Sequence, residues 1–201
     1  MHMLLMFLPG MAVTYYGDEI GMVNDNNITW EETQDPRARK AGKEHYAAIS
    51  RDPQRTPFQW NAEKNAGFST ADSTWLPVNP NYKELNLEKE MRSHESHYKI
   101  YKTLAYMHRY EPAFIKGSYT SFTTNNGTVL GVIRKHEFHV VLLLINFEND
   151  IPQPVDLSDY DLPEIMKLKV ASLGSRSSLK QRVHIKSIHL PKKAAAVYTS
   201  F

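Results

Sequence analysis

Leu8-Pro-Gly-Met-Ala-Val-Thr-Tyr-Tyr-Gly-Asp-Glu-Ile-Gly-Met22 and Arg51-Asp-Pro-Gln-Arg-Thr-Pro-Phe-Gln-Trp60 are the stretches whose reading decides the fold. Within the first, Met11-Ala-Val-Thr-Tyr-Tyr16 is short, apolar and β-branched, with no polar alternation. That pattern predicts a strand buried on both faces, as in a parallel sheet or barrel. Gly17 releases the chain, and Asp18 and Glu19 follow at the strand's C-terminal edge. The second stretch lies in the long connection that comes after, and its two prolines, two arginines and two large aromatics make it the stiffest and most chemically equipped part of that connection.

Working outward, Met3 to Leu8 reads as the last turns of a buried helix, stopped by Pro9-Gly10. The apolar start has neither the basic residues nor the small-residue cleavage site of a signal peptide. It is also too short to span a bilayer, so it reads as the middle of a larger chain. From Gly17 to about Ser93 the sequence is irregular and rich in turn formers, with a short helix expected around Ala38 to Ile49. Connections of this length inside compact domains are usually functional, and in a β/α barrel the loops after the strands form the active-site face. Ser93 is the expected N-cap of a helix over 94–109, with Tyr98, Tyr101, Leu104, Ala105 and His108 at helical spacing. This helix should pack against the strand at 11–16. After Gly117 short strands are expected near 118–123, 128–135, 139–146, 167–172, 183–188 and 194–201, with Asn125-Asn-Gly127 as a hairpin turn signal and Asn126-Gly127 as its favoured dipeptide. His139-Val-Val-Leu-Leu-Leu-Ile145 is apolar on both faces and reads as a central strand.

Bulk composition narrows the function classes. The chain has 201 residues, 41% hydrophobic and 23% charged, with a net charge of +2. This is ordinary globular composition with no nucleic-acid surface and no acidic tail. There is no cysteine, which removes disulfides, thiolate metal sites and cysteine nucleophiles. Two glycosylation sequons, Asn27-Ile28-Thr29 and Asn126-Gly127-Thr128, point towards secretion.

Arg51, Asp52, Arg55, Gln59 and Trp60 admit two readings. A guanidinium is a rigid fork that can hold a pair of sugar hydroxyls, and aromatic faces stack on pyranose rings, so the set suits a sugar subsite. Alternatively Arg and Asp pair to fix the loop while Phe58 and Trp60 fill a core. Asp18 and Glu19 are adjacent and point to opposite faces of a strand, so they read as loop-fixing groups and not as a facing acid/nucleophile pair. His94 and His97 have a possible metal spacing, but no third ligand completes a zinc motif. They read as solvated, as do His136 and His139.

The ordered motifs resemble the insect maltases, α-glucosidases of the α-amylase superfamily. Pro9 to Met22, Thr33-Gln-Asp-Pro36, residues 51–60 in full, Asn65-Ala-Gly-Phe-Ser69 and Trp75-Leu-Pro-Val-Asn-Pro-Asn-Tyr82 all follow the family pattern. The resemblance implies an α/β fold: the C-terminal part of a (β/α)8 barrel over 1–112, with 11–16 as eighth strand and 94–109 as eighth helix. A small antiparallel β-domain over 117–201 follows it. The resemblance implies that Arg55 contacts glucose in the innermost subsite. The nucleophile, the acid/base and the aspartate of an Asn-His-Asp motif are expected upstream, so no catalytic residue is assigned in this chain. Pro36-Arg-Ala-Arg-Lys40 is basic where many members carry a Cys-containing stretch, so the resemblance does not fix the outer subsites.

The reading that follows is the C-terminal part of a secreted or surface-attached enzyme. Such an enzyme would hydrolyse terminal α-1,4-linked glucose from maltose, sucrose and short oligosaccharides with retention. Alone, the chain is expected to be inactive and poorly soluble. Its partner is an oligosaccharide; no nucleic acid, cofactor, metal or transmembrane segment is called for, and any calcium would be held mainly by residues outside this chain. Two alternatives share the motifs: the non-catalytic extracellular heavy chain of an amino-acid transporter, and a degenerate copy without activity.

Overall fold

The computed structural model describes residues 2–200, and packing divides the chain into two compact units, Met1–Val13 with Ile100–Phe201, and Thr14–Lys99.

The first unit is built on one sheet with both faces covered. Strands β1 (Ser118–Thr124), β2 (Val129–His136), β3 (His139–Asn146), β4 (Gln153–Val155), β5 (Ile165–Ala171), β6 (Arg182–His184), β7 (Ile188–Leu190) and β8 (Ala195–Thr199) are all antiparallel. Six of them form the order β1-β2-β3-β8-β5-β6, and β4 pairs with β7 separately. Because successive side chains alternate across a strand, β3 sends Val140, Leu142 and Leu144 to one core and Val141 and Leu143 to the other. The first core also takes in Val155, Leu157, Ile188 and Leu190. The second is covered by helices α1 (His2–Phe7), α5 (His97–Tyr110) and α6 (Pro112–Ile115), through Met3, Met6, Phe7, Leu104, Met107 and Phe114. This double burial is why the continuous apolar run at 139–145 is a central strand, as expected. Arg134 on β2 is buried and donates to the carbonyls of Ala113 (3.3 Å) and Phe114 (2.9 Å), satisfying the end of the short α6.

The 183–188 strand is two strands, because a turn with Ser187 N–H donating to His184 (2.9 Å) divides it. The hairpin turn is shifted by one residue: Asn125 and Asn126 are its central pair, both at φ 54, with Gly127 N–H donating to Thr124. Gly131 lies opposite Phe122 in register. A Cβ there would meet the Phe122 ring at 2.1 Å, so only glycine lets this ring lie across β2 and stack on Tyr160 at 4.2 Å.

The strand expected at 11–16 does not form. These residues join no ladder, and Met11 and Val13 are 89% and 74% exposed while Ala12 packs on the second core. A parallel strand needs a neighbour's backbone beside it and apolar cover on both faces. Among the described residues only one face is covered. The helix before it forms as α1, and α5 shares the second core with α1 and Ala12.

The second unit has little regular structure: α2 (Pro36–Ala41), α3 (Tyr46–Ile49), α4 (Leu87–Arg92) and several single turns. The helix expected over 38–49 is broken at Gly42, whose φ of 85 leaves the helical region. The later helix starts at His97 and not at 94. Ser96, not Ser93, accepts from the N–H of Lys99 (3.2 Å), while Ser93 ends α4. Of the twelve buried polar or charged residues described, nine lie in this unit. It is therefore held by side-chain hydrogen bonds to backbone where the first unit uses ladders. Asn65 and Ala66 are left-handed (φ 53 and 55), followed by Gly67 at φ 68. Asparagine and glycine tolerate this region, whereas Ala66 costs roughly 1–2 kcal/mol there.

Candidate functional site

The segment 51–60 is fixed from both ends. Asp52-Pro53-Gln54 forms a single 3-10 turn with proline supplying the fixed φ. Asp35 caps α2, accepting from Arg37 N–H at 3.1 Å, and its carboxylate also takes three bonds from Arg51: N–H at 2.9 Å, Nε at 2.8 Å and Nη2 at 2.7 Å. The Arg51 guanidinium holds the Asp35 carboxyl well below the usual carboxylate range, and backbone donors add to it. Asp52, itself buried, returns the tie: one oxygen accepts the N–H groups of Gln34 (2.7 Å) and Asp35 (2.9 Å). Two aspartates and one arginine thus lock residues 34–37 to residues 51–52.

Arg55 is different. Its backbone N–H donates to Asp52 (2.8 Å), but its half-buried guanidinium forms no hydrogen bond or ion pair among the described residues. Its charge is close enough to Tyr16 to oppose the upward shift of that phenol. Tyr16 is still pushed up to about 12, chiefly by burial and then by Tyr15. The Tyr16 hydroxyl donates to the carbonyl of Thr56 at 3.0 Å, so the stretch that leads into Asp18 and the segment carrying Arg55 are tied beside that arginine. Gln59 is fully buried and structural, donating to Asn81 (2.9 Å) and to the carbonyl of Leu85. Phe58 is buried, and Trp60, whose ring lies 4.6 Å from it, is 49% exposed.

The two readings left open by the sequence therefore divide the segment between them. Arg51, Asp52 and Gln59 hold the loop; Arg55 and Trp60 are presented by it. Asp18 and Glu19 accept from the N–H groups of Tyr15 (3.1 Å) and Gly17 (2.8 Å), which is the loop-fixing role.

The family model for the α-amylase catalytic domain matches residues 1–117. The chain belongs to the α-amylase family. Maltase 1 of Drosophila virilis is 44% identical over 184 residues, covering 91% of this chain and 29% of that protein. The salivary alpha-glucosidase of Aedes aegypti is 56% identical over 100 residues, 50% of this chain and 17% of the relative. The solved trehalulose synthase of Pseudomonas mesoacidophila superposes with a TM-score of 0.78 at 27% identity, covering 98% of this chain and 37% of that one. The chain thus spans less than two fifths of the α-amylase family proteins it matches.

Within this α-amylase family chain, the described residues hold no group of three or more His, Asp or Glu placed for a metal. His94 and His97 are exposed, with the His97 ring over Gly21, and His139 bonds Glu111 at 3.0 Å. No helix described is long and apolar enough to cross a membrane. Asn27 and Asn126 are both exposed, the latter at the hairpin tip. Sequence reasoning missed Asp35 as the hub of the site. The signal was present as Asp35-Pro36, an N-cap followed by proline at the first helical position.

Proposed function

We propose that this chain is the C-terminal part of an α-glucosidase of the insect maltase type. The enzyme removes terminal α-1,4-linked glucose from maltose, sucrose and short oligosaccharides with retention. Residues 1–112 belong to its (β/α)8 barrel and 117–201 to its β-domain. The observation that carries this reading is Arg55: an arginine whose side chain has no hydrogen-bond or ion-pair partner among the described residues, on a segment locked by Arg51, Asp35 and Asp52 and flanked by a half-exposed tryptophan. A guanidinium on a fixed segment, with no carboxylate bonded to it among the described residues, can give its N–H donors to two hydroxyls of a neutral sugar.

Retention requires two carboxyl groups about 5–5.5 Å apart, and none is assigned within this chain. Arg55 acts as a binding residue for the innermost glucosyl ring, and the reaction needs no cofactor. Relatives named as salivary alpha-glucosidases support a secreted or surface-attached protein, with glycans at Asn27 and Asn126. The test is the parent enzyme carrying Arg55→Ala. Losing two charge-assisted hydrogen bonds to substrate removes about 3 kcal/mol, so kcat/KM for maltose falls by ~10²-fold or more. The unmodified 201-residue chain assayed beside it should release no glucose. An Arg55→Ala enzyme with unchanged kcat/KM refutes the proposal.

A further inference from the structure

The second unit contains a cleft that no residue of the 51–60 segment lines. Its volume is about 410 Å³, and its wall includes Glu32, Gln34, Asn65, Trp75 and Tyr82, with Pro77 and Val78 as apolar surface. That volume falls in the range of about 300–1,000 Å³ typical of small-molecule sites.

The polar groups of this wall are held in place yet left with spare valence. Glu32 accepts the N–H and hydroxyl of Thr29 (2.9 and 2.7 Å) on one carboxylate oxygen. The other has no partner among the described residues. Those same bonds to Thr29 keep the Glu32 carboxyl below its ordinary value. Gln34 donates its amide to the carbonyl of Glu32 (3.3 Å), and its backbone is pinned by Asp52. Asn65, in the left-handed turn, spends its amide N–H groups on the carbonyls of Ser69 (3.2 Å) and Ala71 (2.7 Å). Its side-chain oxygen is therefore free to accept. Left-handed residues of this kind cluster at ligand-holding sites. The Trp75 indole is 51% exposed, and neither it nor the Tyr82 hydroxyl has a hydrogen-bond partner among the described residues.

No lysine, arginine or histidine lines the cleft, which rules against an anionic ligand. One carboxylate, two amide oxygens, the hydroxyl residues Ser73, Thr74 and Tyr82 and an indole, beside exposed aromatic and apolar surface, fit a neutral polyol with apolar ring faces. That is the chemistry of a pyranose. We propose that this cleft is a second saccharide-binding site, which takes a glucosyl unit of an α-linked oligosaccharide against Trp75, with Glu32 and Asn65 accepting from its hydroxyls. The choice of an α-glucan rests on the function proposed above; the site itself rests on the cleft.

The test uses the three tryptophans, Trp30, Trp60 and Trp75, as three resolved indole N–H signals in the NMR spectrum of the full 201-residue chain, titrated with maltotriose and, in parallel, cellotriose. The Trp75 signal should move with maltotriose, saturably. The shift should be lost in Trp75→Phe, reduced ~10-fold in apparent affinity in Glu32→Gln, and unchanged in Arg55→Ala. The spectrum of each variant reports its own folding. A Trp75 signal that stays still throughout the maltotriose titration overturns the proposal, as does an equal response to cellotriose or a response that disappears with Arg55→Ala. Failure of the Arg55 reading looks different: Trp60 stays silent while Trp75 still responds.

Discussion

Arg51, Asp52 and Arg55 lie within five residues of one another, and the structure gives them opposite duties that mutation can separate. Asp52 is 1% exposed, and one of its oxygens accepts two backbone N–H groups, from Gln34 and Asp35. Hydrogen bonds to a charged acceptor contribute about 1.5–3 kcal/mol each, so Asp52→Ala removes at most roughly 3–6 kcal/mol. Water admitted to the gap and residual structure in the unfolded chain bring the expected loss to about 3 kcal/mol. Asp52→Asn keeps a carbonyl oxygen for both donors and places an amide where the second carboxylate oxygen now has no partner. Neutral bonds are about half as strong as charge-assisted ones, so this variant should lose roughly half as much. Arg55→Ala removes a side chain without a described partner and should change stability by no more than about 0.5 kcal/mol. All three tryptophans fall in Thr14–Lys99, so urea unfolding followed by tryptophan fluorescence reads this unit alone. The expected order of midpoints is Arg55→Ala near wild type, then Asp52→Asn, then Asp52→Ala. If Asp52→Ala and Arg55→Ala unfold together, the division of the segment into holding and presenting residues is wrong.

Three further outcomes are expected. Arg51 depresses the folded-state value of Asp35, so the stability Asp35 contributes is complete above the ordinary carboxylate value of about 3.9 and is lost as pH falls below it; acid unfolding read by tryptophan fluorescence should lose that steep segment in Asp35→Asn. Tyr198 is fully buried, its hydroxyl has no partner among the described residues, and burial pushes it up to about 12. A raised folded value means that stability is lost as pH rises from about 10 towards it, so Tyr198→Phe should weaken the alkaline loss; because it also removes a buried hydroxyl that gains no bond on folding, it should raise thermal stability by ~1 kcal/mol at neutral pH. Gly131→Ala sets a Cβ against the Phe122 ring and should cost about 1–3 kcal/mol in calorimetric stability, partly recovered by Phe122→Leu in the same chain.

The β half of the fold was legible because its signals are local and its partners are all present. Period-two alternation and a hairpin turn place β1, β2, β3 and β8, and a residue pair apolar on both sides announces the centre of a covered sheet. β4, three residues long with a proline in the middle, left no period to read. The strand at 11–16 was read from the same kind of evidence and does not form. Apolar composition says that a segment can be buried on two faces, whereas a strand exists only where another backbone lies beside it. Met11 and Val13 carry the composition without the neighbour.

The site was legible as a set of residue types and not as a set of roles. Arg51 and Arg55 have identical side chains, four positions apart, and nothing in either residue says which will be consumed by the fold. The answer lies at Asp35, sixteen positions upstream of Arg51, whose carboxylate can satisfy the planar fork of one arginine and is then full. With its acceptors occupied by Arg51 and Arg37, Asp35 has nothing left for Arg55, and Asp52 turns its bonded oxygen towards backbone N–H groups instead. The free arginine thus follows from where the acceptors are placed: the two buried carboxylates take one guanidinium and four backbone donors, the remaining Asp52 oxygen is buried, and the second guanidinium is left for a ligand. A third acceptor near Arg55 would erase the site without changing any residue in the 51–60 segment, so introducing a carboxylate at Tyr16, whose hydroxyl donates to the Thr56 carbonyl beside Arg55, should abolish sugar binding while leaving Arg55 in place.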